Sequence, residues 1–517
     1  MTVLRYTASL DNTITNAFQP DTTTRATGSN MGGADILEVF SIYGNDGTGS
    51  VELSRALIQF PIDKIKEDRD AGKLPASGSV LFRLRMYNAP HFQTTPENYS
   101  LQISAVSASW QEGTGLDMDD YKDLLGENEG SNWLTSSKGN TWTKSGGDYH
   151  ASPSYTQYFK TGHEDIDLDV SNLVEHWIKG LGGDNDTGRH NYGFGIRLTD
   201  EFEGYFSGST DDEKSGSNGS ATFQNEAGAT TSYYTKKFFA RSTSHFFKQP
   251  VIEAQFNNQV KDDRGNFYLS SSLLTRTEIM NNLYFYNYYR GKLRDIAGKI
   301  TAVPQVRLYY SSGSVPEGER RMFLDSSESP VSHVTASRIS TGVYKATLAA
   351  SSSIISATYP YLIDVWSYLG DQILTGSVIT PKKHLPSLSP MEKTYVLSIP
   401  NLKKEYGNKE MVRFRLFARE KNWSPSIYSV AKNKPENNTL ISSSVRVVRI
   451  VDDLEVVAHD YSGNKYSALS YDVSGNYFDF SMDVLEKGYQ YCFKISIYDD
   501  YTGDFHEQPY QFKFRVI

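Results

Sequence analysis

Period-two alternation of apolar and polar residues recurs along almost all of this 517-residue chain, and no other feature constrains the fold as strongly. Successive strand side chains point to opposite faces, so alternation marks a strand with one buried and one wet side. In residues 79–88, Phe82, Leu84 and Met86 alternate with Arg83 and Arg85. In residues 411–418, Phe414 and Leu416 alternate with Arg413 and Arg415. Further runs of this kind lie at 36–43, 54–62, 99–110, 361–368, 444–450 and 491–498, separated by turn clusters of Gly, Asn, Asp and Ser. That spacing predicts an all-β protein.

One stretch breaks the period. In residues 167–180, Val170, Leu173, Val174, Trp177 and Ile178 follow the i, i+3, i+4, i+7, i+8 spacing of a helix that buries one face. Ser171 or Asn172 is expected to cap its first turn, and Gly180 to close it in the left-handed conformation. A lone amphipathic helix in a β-rich region is expected to lie across the mouth or edge of a sandwich. The short charged stretch 63–72 is compatible with one helical turn.

A chain of this length exceeds one ordinary core and should divide into about two to four domains. The pattern predicts a jelly-roll β-sandwich with one short helix over 1–257, then an aromatic-rich linker running into a first strand over 258–303. An Ig-like sandwich over 304–382, a Pro-rich linker at 383–390 and a second Ig-like sandwich over 391–517 complete the expected order. Two long polar segments, 113–163 and 207–232, interrupt the first region and predict insertions.

The first region carries, in order, SRALIQFPI, SVLFRLRMYNA, VSASWQEG, DLDVSNLVEHWIKG, NYGFGIRL, KKFFARST and QPVIEAQF. This series resembles the DNRLRE-type domain, a jelly-roll sandwich related to carbohydrate-binding modules. Its members share a Trp-containing turn, a V-x-x-L-V-x-x-W-x-x-G helix, an N-x-G-F strand and a closing P-x-L/I strand. The resemblance spans about residues 3–257 and implies a jelly-roll fold there.

Chemistry leaves few candidates. No G-x-S-x-G elbow is present, and the single cysteine, Cys492, lies in an alternating run where a small buried apolar residue is expected. Paired zinc ligands, phosphate-binding glycine loops and dinucleotide fingerprints are missing, so no cofactor, no metal and no enzymatic activity are expected. A net charge of −9 without a basic stripe argues against nucleic acid. No run approaches the roughly 18 apolar residues of a membrane span, and residues 1–20 lack the pattern of a signal peptide, so a soluble protein made in a cytoplasm is expected. Acidic residues Glu112, Asp117, Asp119 and Asp120 offer carboxylates for glycoside hydrolysis or, with Asp184 and Asp186, oxygen ligands for calcium; solvated turns are the simpler reading.

The aromatic side chains are more telling, with 35 Tyr and 26 Phe in the chain. Trp133 and Trp142, in the first long segment, are candidates to stack on a sugar ring or, more simply, to pin the segment to the sandwich. Tyr284, Tyr286, Tyr288 and Tyr289 form a string expected to be sheet or interface surface. A Tyr-rich, disulfide-free, multidomain β-protein with these features suggests a structural component of a tailed-bacteriophage virion, made in the host and acting through interfaces with other virion proteins and copies of itself. A glycan-binding adhesin of a fibre or cell surface is the second expectation, and a polysaccharide-degrading enzyme the third.

Overall fold

The computed structural model describes residues 2–44, 50–90, 95–116, 120–124, 130–181, 189–206, 225–320, 322–323, 331–351, 355–384, 386, 393–421, 437–462 and 464–517. It is all-β, built as a jelly-roll-type sandwich followed by two Ig-like sandwiches. Two compact units emerge, Val3–Gln255 and a second comprising Met1–Thr2 with Phe256–Ile517.

In the first unit one sheet has the order Val3–Thr7, Val251–Gln255, Leu81–Met86, Ile166–Asp169. The facing sheet runs Tyr233–Phe239, Ile36–Gly44, Ser50–Gln59, Phe194–Leu198, Tyr99–Val106, Tyr149–Phe159, with Leu10–Thr15 also paired to Ser50–Gln59. Each pairing between these strands is antiparallel. Alternation is obeyed in Leu81–Met86, where Phe82, Leu84 and Met86 are buried. Its basic face is met by acids on neighbouring strands: Arg83 Nε lies 2.6 Å from Asp167, and Arg85 lies 3.5 Å from Glu253, which also takes Arg5 Nε at 2.8 Å.

The amphipathic stretch is helix α2 here, Ser171–Gly180, preceded by helix α1, Ile62–Asp70. Among the described residues there are therefore two α-helices where one was expected. The charged segment compatible with one turn contributes two buried isoleucines, Ile62 and Ile65, too few to register as a periodic stripe. Trp177 of α2 meets Phe194 edge-on at 4.9 Å, and Glu175 holds Arg69 of α1 through two hydrogen bonds of 2.6 and 2.7 Å. The caps also differ from expectation. Val170 precedes the first turn, and Asp169, one residue earlier, accepts from the Ser171 backbone N–H at 3.0 Å. Ser171 instead turns its Oγ to the Phe82 N–H at 2.8 Å. Gly180 stays helical, and the right-handed Leu181 follows it.

In the second unit the first Ig-like sandwich opposes two sheets. One holds Asn281–Tyr286, Val343–Ala350 and Met322–Phe323, with Ser337–Ser340 also on Val343–Ala350. The other holds Gly318–Arg320, Gln305–Ser311, Tyr361–Tyr368 and Asp371–Ile379, with Val334–Thr335 on Gln305–Ser311. Within residues 258–303 the strand is Asn281–Tyr286, and the segment around it also packs into this sandwich. Phe267, Leu269, Leu283, Phe285, Ile296 and Ala302 belong to this sandwich's core with Trp366 and Leu348. The Pro-rich stretch 383–390 lies mostly outside the described residues, as do 207–224 of the second polar insertion.

The last sandwich opposes Tyr395–Ser398, Met411–Glu420, Gly475–Ser481, Ser470–Asp472 to a sheet built on Gln490–Asp499, flanked by Ser443–Arg449 on one side and Phe512–Val516 and Asp504–Glu507 on the other. Phe414, Phe478, Phe480, Phe493 and Phe514 pack as a contiguous ring cluster at its centre. Cys492 is buried beside them, its thiol pushed up by burial. Among the described residues no helix is long and apolar enough to cross a membrane.

Candidate interaction surface

The string of tyrosines divides into two places with different physics. Strand Asn281–Tyr286 pairs with Val343–Ala350 and then passes through Asn287 into a small hairpin, Tyr288–Tyr289 against Lys292–Leu293. The two turn residues, Arg290 at φ 50° and Gly291 at φ 78°, both adopt positive φ, as a two-residue hairpin turn requires to match strand twist. Asn287 locks the base: its Nδ2 donates to the Arg294 carbonyl at 2.6 Å, and its own N–H donates to the Gly342 carbonyl at 2.8 Å.

The hairpin carries Tyr288 and Tyr289 into solvent, 62% and 51% exposed. The guanidinium groups of Arg290 and Arg294 sit 5.3 and 5.2 Å from the Tyr289 ring centre. The Tyr289 ring so flanked, with Tyr288 and Lys292 in the same hairpin, forms a compact Tyr/Arg patch. Tyr and Arg are the residue types that carry most binding energy at protein interfaces.

Tyr284 and Tyr286 point elsewhere, to the join between the two Ig-like sandwiches. Their rings lie parallel at 6.4 Å. Burial pushes the Tyr284 hydroxyl up to about 12, and its oxygen is bonded to the backbone of Lys261. The Tyr286 hydroxyl is raised too, by burial first and then by the neighbouring Tyr477, whose ring has Arg413 and Arg415 over it at 4.3 and 4.9 Å.

Beneath these rings residues 260–263 extend the edge of the last sandwich. Asp262 N–H donates to the Tyr471 carbonyl at 3.0 Å, and Tyr471 N–H to the Val260 carbonyl at 2.9 Å. The Tyr471 hydroxyl donates to Asp263 at 2.7 Å. Arg264 then bridges two buried acids, Asp262 and Asp364, at 2.6 Å each, and the Trp366 indole donates to Asp364 at 2.6 Å. Burial raises the Asp262 carboxyl to about 6 despite the arginine. This network welds one sandwich to the next.

Trp133 and Trp142, the sugar-stacking candidates, are 2% and 5% exposed and pack with Ile14, Val51, Leu53 and Leu57. The Trp142 indole donates to the Asn132 carbonyl at 2.8 Å, and Trp133 lies under the guanidinium of Arg55, which is itself paired with Glu203. Neither ring offers a free face to a sugar; both tie the long segment to the sandwich.

The acids of that segment are equally committed. Glu112 grips Arg241 through two hydrogen bonds of 2.7 and 2.6 Å and accepts from the Asp11 N–H at 2.8 Å. Asp120 pairs with Lys122. Asp117, Asp119, Asp184 and Asp186 lie outside the described residues. Sequence reading overlooked Asp11, whose carboxyl is raised to about 7 by burial and next by the charge of Glu112, against hydrogen bonding from the Arg241 N–H. Its Oδ1 is buried without a hydrogen-bond partner. A single Asp in a strand carries no pattern that could have revealed this.

Sequence reading also overlooked a Ser–His–Glu alignment in the last sandwich. Ser444 Oγ lies 3.0 Å from His459 Nδ1, and His459 Nε2 lies 3.4 Å from Glu507. Burial, then the charge of Arg446, depress the imidazole to about 4, which makes it a poor base at neutral pH. Ser444 also shares a 2.7 Å hydrogen bond with Ser467, and Glu507 is taken by Arg446 at 2.6 Å. The arrangement works as a structural hydrogen-bond chain.

No family model matches the sequence, and no curated protein matches it either. Among solved structures, a chimeric titin Z1Z2 tandem bearing a fibronectin GRGDS peptide is similar over 46% of this chain and 91% of its own, at 11% identity and a TM-score of 0.14. Salmonella alpha-2-macroglobulin reacted with methylamine is similar over 99% of this chain and 26% of its own, at 8% identity and a TM-score of 0.14. Native E. coli alpha-2-macroglobulin is similar over 99% and 34%, at 10% identity and a TM-score of 0.15. Likenesses this shallow carry no functional argument.

Proposed function

We propose that this chain is a structural, assembly-type protein that acts through protein–protein interfaces, with a tailed-phage particle as its setting. On this reading the first sandwich, with its DNRLRE-type resemblance, docks or decorates, and the welded Ig-like pair bridges neighbours. The observation that carries the reading is the exposed Tyr288/Tyr289 hairpin, held by a tight turn and flanked by Arg290, Lys292 and Arg294. A cationic aromatic tip on a chain of net charge −9 complements an acidic surface, including that of another copy of the chain.

Light scattering on the purified full chain tests this. A discrete oligomer whose mass falls when Tyr288 and Tyr289 are both replaced by Ala is the expected result. A monomer at all concentrations that binds oligosaccharides would overturn it in favour of the adhesin reading, for which those same exposed rings are the available stacking platform.

A further inference from the structure

A pocket opens in the second unit where residues 259–261 run beside the last sandwich. It is a small cavity of about 50 Å³, partly open to solvent, lined by Gln259, Lys261, Ser443, Asp460 and Lys465, with Tyr461 and Phe505 at its wall. Those two rings are stacked 4.2 Å apart.

Its charge is unbalanced. Among the described residues neither Lys261 nor Lys465 forms an ion pair within 4 Å, although the more distant Asp263 attracts Lys261. Burial lowers the Lys261 amine, the charge of Lys465 lowers it further, and Asp263 opposes this; both lysines line the same cavity. The acid on the pocket wall, Asp460, is spent on its own turn, where its oxygens accept from Ser462 and from the Tyr466 N–H at 3.1 Å. That turn presents Lys465 with φ of 45°, a left-handed conformation strained for a non-glycine residue. Ser443, 4% exposed, has a buried Oγ with no hydrogen-bond partner.

Two ammonium groups without a short ion pair and the unsatisfied Ser443 hydroxyl, lining one polar cavity, are the complement of an acceptor-rich anion. We infer that this pocket binds a small oxyanion of the phosphate or sulfate type, with Lys261 and Lys465 supplying charge and Ser443 a hydrogen bond. A phosphorylated monosaccharide presents the same oxyanion, with its sugar left in solvent. The inference is independent of the exposed hairpin, which lies on other residues.

Calorimetric titration of the full chain with inorganic phosphate at constant ionic strength, against a sodium chloride blank, tests it. Saturable binding near one ion per chain is expected, weakened at least tenfold in Lys465→Gln and in Lys261→Gln and several-fold in Ser443→Ala. Lys299→Gln, outside the pocket, should bind as the parent does. Glucose 6-phosphate identifies the source: tighter binding than inorganic phosphate assigns the site to a sugar ester, equal binding to the free ion. Heats no larger than the chloride blank, or an affinity unchanged in folded Lys465→Gln, would overturn the proposal. Lys465 is exposed on a turn, so that variant remains informative even where Lys261→Gln loosens the join.

Discussion

Asp11 shows how one side chain couples stability to pH. Its folded pKa is raised from 3.8 to about 7, so the native state holds the proton more tightly than the unfolded chain does. The stability this contributes is fully present below about pH 4 and is lost as pH rises through 7. The loss should be on the order of a few kcal/mol. Asp11→Asn stays neutral throughout, so denaturant melts of the parent and variant should diverge across that interval; parallel pH profiles would contradict the assignment. Arg264 tests the opposite situation, a cation shared by two buried acids. Arg264→Met leaves Asp262 and Asp364 facing each other without compensation and should cost about 3–5 kcal/mol in chemical denaturation.

At the scale of elements, the strand Phe194–Leu198 explains a motif that looks merely permissive in sequence. A Cβ on Gly195 would overlap the Tyr149 ring, which is held in place by a 2.8 Å hydrogen bond from its hydroxyl to the Gly146 carbonyl. The neighbouring Gly193, at φ 82°, lets the chain pass against the Ile58 carbonyl. Gly195→Ala should therefore destabilise by about 1–3 kcal/mol through overpacking. Gly313→Ala, where a Cβ meets open space, should leave thermal stability unchanged and serves as the control. A Gly195→Ala melt identical to the parent would mean that the Tyr149 ring is free to move.

For the whole molecule, two compact units predict two calorimetric transitions, not one. Arg264→Met should lower only the transition of the second unit, and Gly195→Ala only that of the first. A single cooperative endotherm shifted by both variants would refute this division. The two Ig-like sandwiches should melt together, because residues 260–264 hydrogen-bond into one and ion-pair into the other.

Two-residue alternation in the sequence determined the strands and the all-β class, and i, i+3, i+4 spacing the buried face of α2, because periodicity is a local property written residue by residue. Phe82, Leu84, Met86, Leu173, Val174 and Trp177 were all legible in this way. Tertiary structure alone decided the rest. Residues 258–303 carry apolar side chains at no clear period, and only their pairing with Val343–Ala350 and Tyr471 makes them part of a core and a weld. The exposure of Tyr288 beside the burial of Tyr284 likewise has no local signal, since the same residue type serves both. The lysines of the anion pocket, Asp11 with Glu112, and Arg264 with Asp364 are brought together across long stretches of chain. Such proximity is set by which sheets close on one another, and no spacing along the sequence records it.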